Sequence, residues 1–232
     1  MKSNCLFFLT VIFLISCNPK VELKLNLEKD FTTTTTYDII VKGRTEHSQY
    51  KIYVDHLVES VLPNNSYQVS SVISRIIYKS KSDNIYFDSN KPEDLELQHP
   101  LLHEQKSLLN RKFTYELTSY GEIVNPEQGM KQTYSILPFE FSPKPIRMGS
   151  KWYHSKDPLK NSRKNWFSVN AKNEKTVKIE ASQSASMNAA MSLLGGEQAT
   201  GFYYLDPETN LVKEGELRLK HEVFGDMVIY IN

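Results

Sequence analysis

The sequence predicts a mainly β, antiparallel domain, either a half-barrel or a two-layer β-sandwich, with one or two short helices. Three observations predict it. Val21-Glu22-Leu23-Lys24-Leu25-Asn26-Leu27 alternates apolar and polar residues with a period of two. The runs Ser48–Leu62 and Ser66–Ser80 are rich in β-branched and aromatic residues and flank the turn signal Pro63-Asn64-Asn65. Further runs of the same kind then recur to the C-terminus. At 232 residues, 40% hydrophobic and 11% aromatic, the chain has material for one large β core or two small ones.

The elements follow in order. Val21–Leu27 reads as a half-buried strand. Thr32–Thr36, lying between Phe31 and Tyr37-Asp38-Ile39-Ile40-Val41, reads as a strand with a polar face rather than a low-complexity stalk. The two long runs form a hairpin, and Asn84–Ser89 is a short strand. One helix opens at Pro100-Leu101-Leu102, carries Leu108-Leu109 two turns on, and ends at Asn110. Arg111–Asn125 is a hairpin around Ser119-Tyr120-Gly121, and Pro126–Tyr134 is helical or irregular. Pro138, Pro143 and Pro145 mark a connection. Strands follow at Ser150–His154, Trp166–Val169, Thr176–Ala181, Gly201–Leu205, Leu211–Phe224 and Met227–Ile231. Leu27–Ile39 resembles Ile146–Pro158 in outline, and Lys112–Val124 resembles Thr200–Val212, which suggests two similar halves.

The amino terminus carries an address. Met1-Lys2-Ser3-Asn4 precedes an apolar run from Cys5 to Ile15, the layout of a secretory signal and too short for a spanning helix of roughly 20 residues. Leu14-Ile15-Ser16-Cys17 resembles the bacterial lipobox, although Ile15 is larger than the usual residue there. That resemblance implies removal of residues 1–16 and acylation of Cys17, with residues 17–20 as anchor and short tether. Cys5 and Cys17 are the only cysteines, so cleavage would leave Cys17 without a disulfide partner. Two or three acyl chains hold a protein stably on a bilayer. Asn18 is not the aspartate associated with inner-membrane retention, so the expected location is the cell envelope, at the outer membrane. A single β-rich domain, residues 21–232, would then start roughly 14 Å from the lipid at full extension.

A second resemblance spans nearly all of that domain. Val21–Phe31, Phe87–Asp94, the leucine helix leading into Phe113–Val124, the Lys144–Trp152 stretch and the Gly201–Val212 hairpin together resemble a family of uncharacterised Gram-negative lipoproteins. The family usually has Gly-Asp-x-Trp where this chain has Gly149-Ser150-Lys151-Trp152, and often glycine at Asn210. The resemblance implies the fold and the address and supplies no catalytic residues.

Chemistry is sparse. With 28 Lys+Arg against 27 Asp+Glu, a net charge of +1 and no basic stripe in the sequence, nucleic acid is excluded as a partner. Ser48-Gln49-Tyr50-Lys51, Ser82-Asp83-Asn84 and Lys175-Thr176-Val177 echo the motifs of penicillin-recognising serine enzymes. Ser48 and Lys51, however, sit on a strand, where residues three apart face opposite ways. Among six histidines, only His99 and His103 have ligand-like spacing, without a third ligand, so no metal and no other cofactor is expected. Glu93-Asp94-Leu95-Glu96 lacks the glycine of a calcium loop and reads as a solvated turn. Met187, Met191 and Leu194, in a small-residue-rich segment ending at Gly195-Gly196, form either a helix capping the β-layer or a flap over an apolar ligand. The expected protein is non-catalytic: a lipid-anchored binder of a lipid, other apolar ligand or envelope component, or else a structural, complex-forming subunit with a filled core. Its protein partners are not legible.

Overall fold

The computed structural model describes residues 20–43, 47–96, 102, 106–127, 130, 132–153, 165–184, 198–221 and 225–232. Its strands are β1 (Lys20–Val21), β2 (Thr32–Lys42), β3 (His47–Val61), β4 (Tyr67–Ser80), β5 (Ile85–Asp88), β6 (Lys112–Leu117), β7 (Ile123–Val124), β8 (Ile146–Arg147), β9 (Lys151–Tyr153), β10 (Trp166–Lys172), β11 (Val177–Ser184), β12 (Gln198–Leu205), β13 (Val212–His221) and β14 (Gly225–Ile231). Twelve of them make one antiparallel sheet in the order β7-β6-β4-β3-β2-β14-β13-β12-β11-β10-β9, with β5 beside β4; β1 and β8 pair separately. Short 3-10 turns at Pro92–Glu96 and Gln132–Tyr134, and helical residues 102 and 106–108, supply the helical content among the described residues.

The expected turns form where left-handed conformations are available. Asn65 in the β3–β4 hairpin, Asn110 after residues 106–108 and Asn210 in the β12–β13 turn have φ of 58°, 60° and 58°. Asn and Gly enter that region at low cost, so each sequence position chosen as a turn can close. Register in the longest hairpin is corrected by a bulge: Tyr53 faces Arg75 but Val54 faces Ile73, which leaves Ser74 unpaired. The extra residue inverts the alternation of β4, so Ile73 and Ile76 are both buried although they are three apart.

The sheet is curled but not closed: among the described residues, its edges β7 and β9 do not pair. The connector between them fills the gap. Every residue from Tyr134 to Phe141 is buried. At one edge the Phe141 N–H donates to Tyr120 O (2.7 Å), and Gln132 Nε2 donates to Gly121 O (3.0 Å). At the other edge the Trp152 indole N–H donates to Glu140 O (2.9 Å). Between them, Phe139 lies 5.0 Å from the Phe167 ring and 4.7 Å from the Tyr203 ring, centroid to centroid. The prolines therefore mark a connection, as expected, but its first part, with Pro138, is buried and works as a plug, whereas Pro143 and Pro145 are exposed. The plug's backbone polar groups are tolerable inside because side chains and edge carbonyls satisfy them.

Two corrections concern the strand readings. Residues 21–27 show the alternation in full, with Val21, Leu23, Leu25 and Leu27 buried and Glu22, Lys24 and Asn26 exposed. Yet only Lys20 and Val21 join a ladder, because beyond them the chain passes over turns rather than beside a strand. Leu25 N–H donates to Ser119 O (2.7 Å), Asn26 N–H to Thr209 O (3.2 Å), Asn210 Nδ2 to Lys24 O (2.8 Å) and Tyr67 Oη to Leu25 O (2.8 Å). The segment is a strap across the base of the sheet. Of the suggested halves, the first pair differs, since β2 is an eleven-residue strand inside the sheet and β9 a three-residue strand at its edge among the described residues. The second pair, β6–β7 and β12–β13, are both antiparallel hairpins.

Candidate functional site: a groove over the rim of the sheet

The registers give the curled sheet two unlike ends. The hairpin turns after β3, β6, β10 and β12 and the strap lie at the base. Lys42, His47, Ser80, Ser184, Gln198, His221 and Gly225 lie at the opposite end, the rim. There, a groove of about 880 Å³ is lined by Lys42, Gln198, Thr200, Arg218, Leu219, Lys220, Asp226, Met227 and Val228. This is within the roughly 300–1,000 Å³ typical of ligand sites.

Strand pairing explains the composition of the groove. Lys220 stands opposite Asp226, which stands opposite Lys42; one row down, Thr200, Arg218 and Val228 are aligned. These side chains point outward. Leu219 and Met227, the intervening residues, point inward and are buried in the core. The groove therefore bends over the strand ends, from a polar outer lip to an apolar inner one. Arg218 Nε donates to Glu216 Oε1 at 2.5 Å, which holds the guanidinium charged. The row of Val228 continues outward through Ile40, Gln49 and Lys79 to Tyr86, whose exposed ring lies 5.6 Å from Lys79 Nζ and 5.1 Å from Lys91 Nζ. The basic residues absent as a stripe in the sequence are thus gathered along the rim by register.

No protein-family model matches this chain, and no curated protein matches it in sequence. Among solved structures, one of lipid-protein interactions in lipovitellin aligns with a TM-score of 0.44 and 10% identity, over 89% of this chain and 25% of that one. This chain thus spans about a quarter of that chain's length, and the likeness is distant.

A second polar feature lies inside the core. Ile136 N–H donates to Tyr115 Oη (3.0 Å), Tyr115 Oη contacts Ser71 Oγ (3.0 Å), Ser71 Oγ contacts His56 Nδ1 (2.7 Å), and His56 Nε2 contacts Thr35 Oγ1 (3.1 Å). Tyr115 donating to Ser71, Ser71 to Nδ1, and Nε2–H to Thr35 satisfies this relay. Burial, opposed weakly by Asp55, pushes the His56 imidazole down to about 3, so it is neutral. A serine at hydrogen-bond distance from a histidine is half of a hydrolytic triad in form. Here Ser71 is 0% and His56 3% exposed, so neither can meet a substrate, and the relay ties the plug to the sheet.

Cys17, Met187, Met191, Leu194, His99 and His103 lie outside the described residues. The strands bordering the 185–194 segment end at Ser184 and begin at Gln198, and Gln198 lines the groove. The serine-enzyme echo is dispersed: Ser48 is buried at the rim, Lys51 faces outward to Asp38 (3.0 Å), and Lys175 is in a turn at the base. Asp94 accepts the Asp88 N–H (2.8 Å), so this carboxylate of the acidic turn closes a loop. Among the described residues, no group of three His, Cys, Asp or Glu side chains could hold a metal, and no helix is long and apolar enough to cross a membrane.

Proposed function

We propose that this protein is a non-catalytic binding protein of the cell envelope, held on the outer membrane by acylated Cys17, that takes up an apolar or amphipathic ligand at the rim. The observation that carries the reading is the groove of about 880 Å³, with Leu219, Met227 and Val228 among its lining. The buried state of Ser71 and His56 favours the non-catalytic half of the proposal. The strap begins at Lys20, close in sequence to Cys17, and lies at the base. An anchored molecule would therefore hold its groove away from its own bilayer.

A second reading, a complex-forming subunit without a ligand, is favoured by the plug, which occupies the concave side of the sheet with Ile136, Leu137 and Phe139. Two measurements test these readings. Fractionation should find the wild-type chain with membranes and Cys17→Ala in the soluble envelope fraction; an unchanged distribution would refute the anchor. Native mass spectrometry of the full chain, purified in a non-ionic detergent, should show a discrete extra mass that extracts into organic solvent. A bare chain that stays bare after incubation with envelope lipids would eliminate the ligand-binding reading in favour of the subunit.

A further inference from the structure

The groove has a charge pattern as well as a volume. Among the described residues of its lining, three are cations, Lys42, Arg218 and Lys220, and one is a carboxylate, Asp226. Asp226 stands between the two lysines in register, yet among the described residues neither lysine makes an ion pair with it. Glu216 occupies only the Nε of Arg218, so among the described residues the cations of the groove outnumber the carboxylates beside them. A guanidinium flanked by two ammonium groups suits a phosphate or carboxylate, since the first offers a planar fork and the others point charges.

The cations share the groove with apolar side chains in a definite order. On the outer lip, Arg218 and Lys220 stand with Thr200 and Gln198; over the rim, Leu219 and Met227 of the same strands turn towards the core. A free anion would find donors but make no use of the apolar lining at Val228. A neutral hydrocarbon would meet that lining but leave Lys42 and Lys220 without an ion-pair partner among the described residues. An anionic amphiphile satisfies both, its head at the lip and its chain along the rim. Among the described residues of the lining there is no aromatic ring on which a nucleobase could stack.

Resting on the reading of this groove as a ligand site, we propose that its ligand is an anionic lipid, with the head group on Lys42, Arg218 and Lys220 and an acyl chain on Val228 and on the small edges of Leu219 and Met227 that the groove reaches. The same strands carry both sets of contacts, so head and chain are recognised by one pleated surface through alternate residues.

The test uses the full chain in non-ionic detergent, offered dioleoylphosphatidylglycerol, dioleoylphosphatidylcholine or glycerol 1-phosphate, with adducts counted by native mass spectrometry. The expected result is one phosphatidylglycerol per chain, preferred about tenfold over phosphatidylcholine, with the preference collapsing in 1 M salt, where the screening length is about 3 Å. The triple variant Lys42→Gln, Arg218→Gln, Lys220→Gln should bring the two lipids to parity. Lys172→Gln, Lys175→Gln, Lys213→Gln, three exposed lysines at the base, should leave the preference intact. If the rim triple does not fold, Lys220→Gln alone should still reduce the preference several-fold. Equal binding of both lipids, unaffected by the rim triple, would overturn the head-group assignment and leave the ligand-binding reading standing. Glycerol 1-phosphate binding as well as the lipid would overturn the role of the acyl chain. Retention of no lipid at all would overturn both.

Discussion

His56 shows how one buried side chain makes the stability of the fold depend on pH. In the unfolded chain an imidazole titrates near 6.5, whereas in the core burial moves it down to about 3. Between those values the unfolded state binds a proton that the native state refuses, so stability falls as pH drops from about 6.5 towards 3 and is insensitive to this group above 6.5. The slope from this one group is at most ~1.4 kcal/mol per pH unit. His56→Gln keeps an acceptor for Ser71 and a donor for Thr35 but cannot ionise. Urea unfolding at pH 7 and pH 4.5 should therefore show wild type losing about 2 kcal/mol more than His56→Gln across that interval. Equal losses would mean that the imidazole is solvated. Asp88 works in the opposite protonation sense: the bidentate hydrogen bonds from Arg75, at 3.0 and 2.6 Å, hold its carboxyl below the usual range.

The plug is the element on which the interior depends. An open curled sheet exposes the residues facing its concave side unless something covers them, and Tyr134–Phe141 does so with rings and aliphatic chains satisfied at both edges. Gly121 makes room for it. With φ of 84°, a Cβ there would lie 2.5 Å from Leu137 Cδ2 and 2.9 Å from Phe139 O, so a side chain would push the plug away. Phe139 is fully buried at the centre of the ring cluster. Phe139→Ala should cost about 3–5 kcal/mol by denaturant unfolding and leave an apolar void. An apolar void of that size stays dry and admits small hydrocarbons. A loss below about 1 kcal/mol would show that the plug is not packed as described.

At the scale of the whole molecule, the strap joins strands that are far apart in the sheet order. Its hydrogen bonds reach the β6–β7 turn on one side and the β12–β13 turn on the other, while Leu23, Leu25 and Leu27 face the core. Because each leucine contributes about 1.5–3 kcal/mol when buried, the strap matters to global stability and not only to the N-terminus. Leu23→Asp with Leu25→Asp should lower the melting temperature by about six degrees or more, as expected for a loss of about 3 kcal/mol or more in a chain of this size. Unaltered melting would mean that the strap merely rests on the base.

The sequence by itself determined the local structure, because local structure depends on side-chain period and turn chemistry. The hairpin at Pro63-Asn64-Asn65, the hairpin at Ser119-Tyr120-Gly121, the end of the helical residues at Asn110 and the alternation of Val21–Leu27 were all readable from residue type alone. Lys42, Arg218 and Lys220 were not readable as a site. They lie on β2 and β13, far apart in sequence, and only the pairing of β14 with both strands brings them together. The plug was equally hidden, since a proline-containing stretch between strands looks like a surface connection until the missing closure of the sheet is known. The bulge at Ser74 shows the same limit on a small scale: alternation predicts facing only while register is unbroken, and register is a property of two strands. Period and turns are written one residue at a time; neighbours across a sheet are decided by which strands meet, and that choice belongs to the packing of the whole chain.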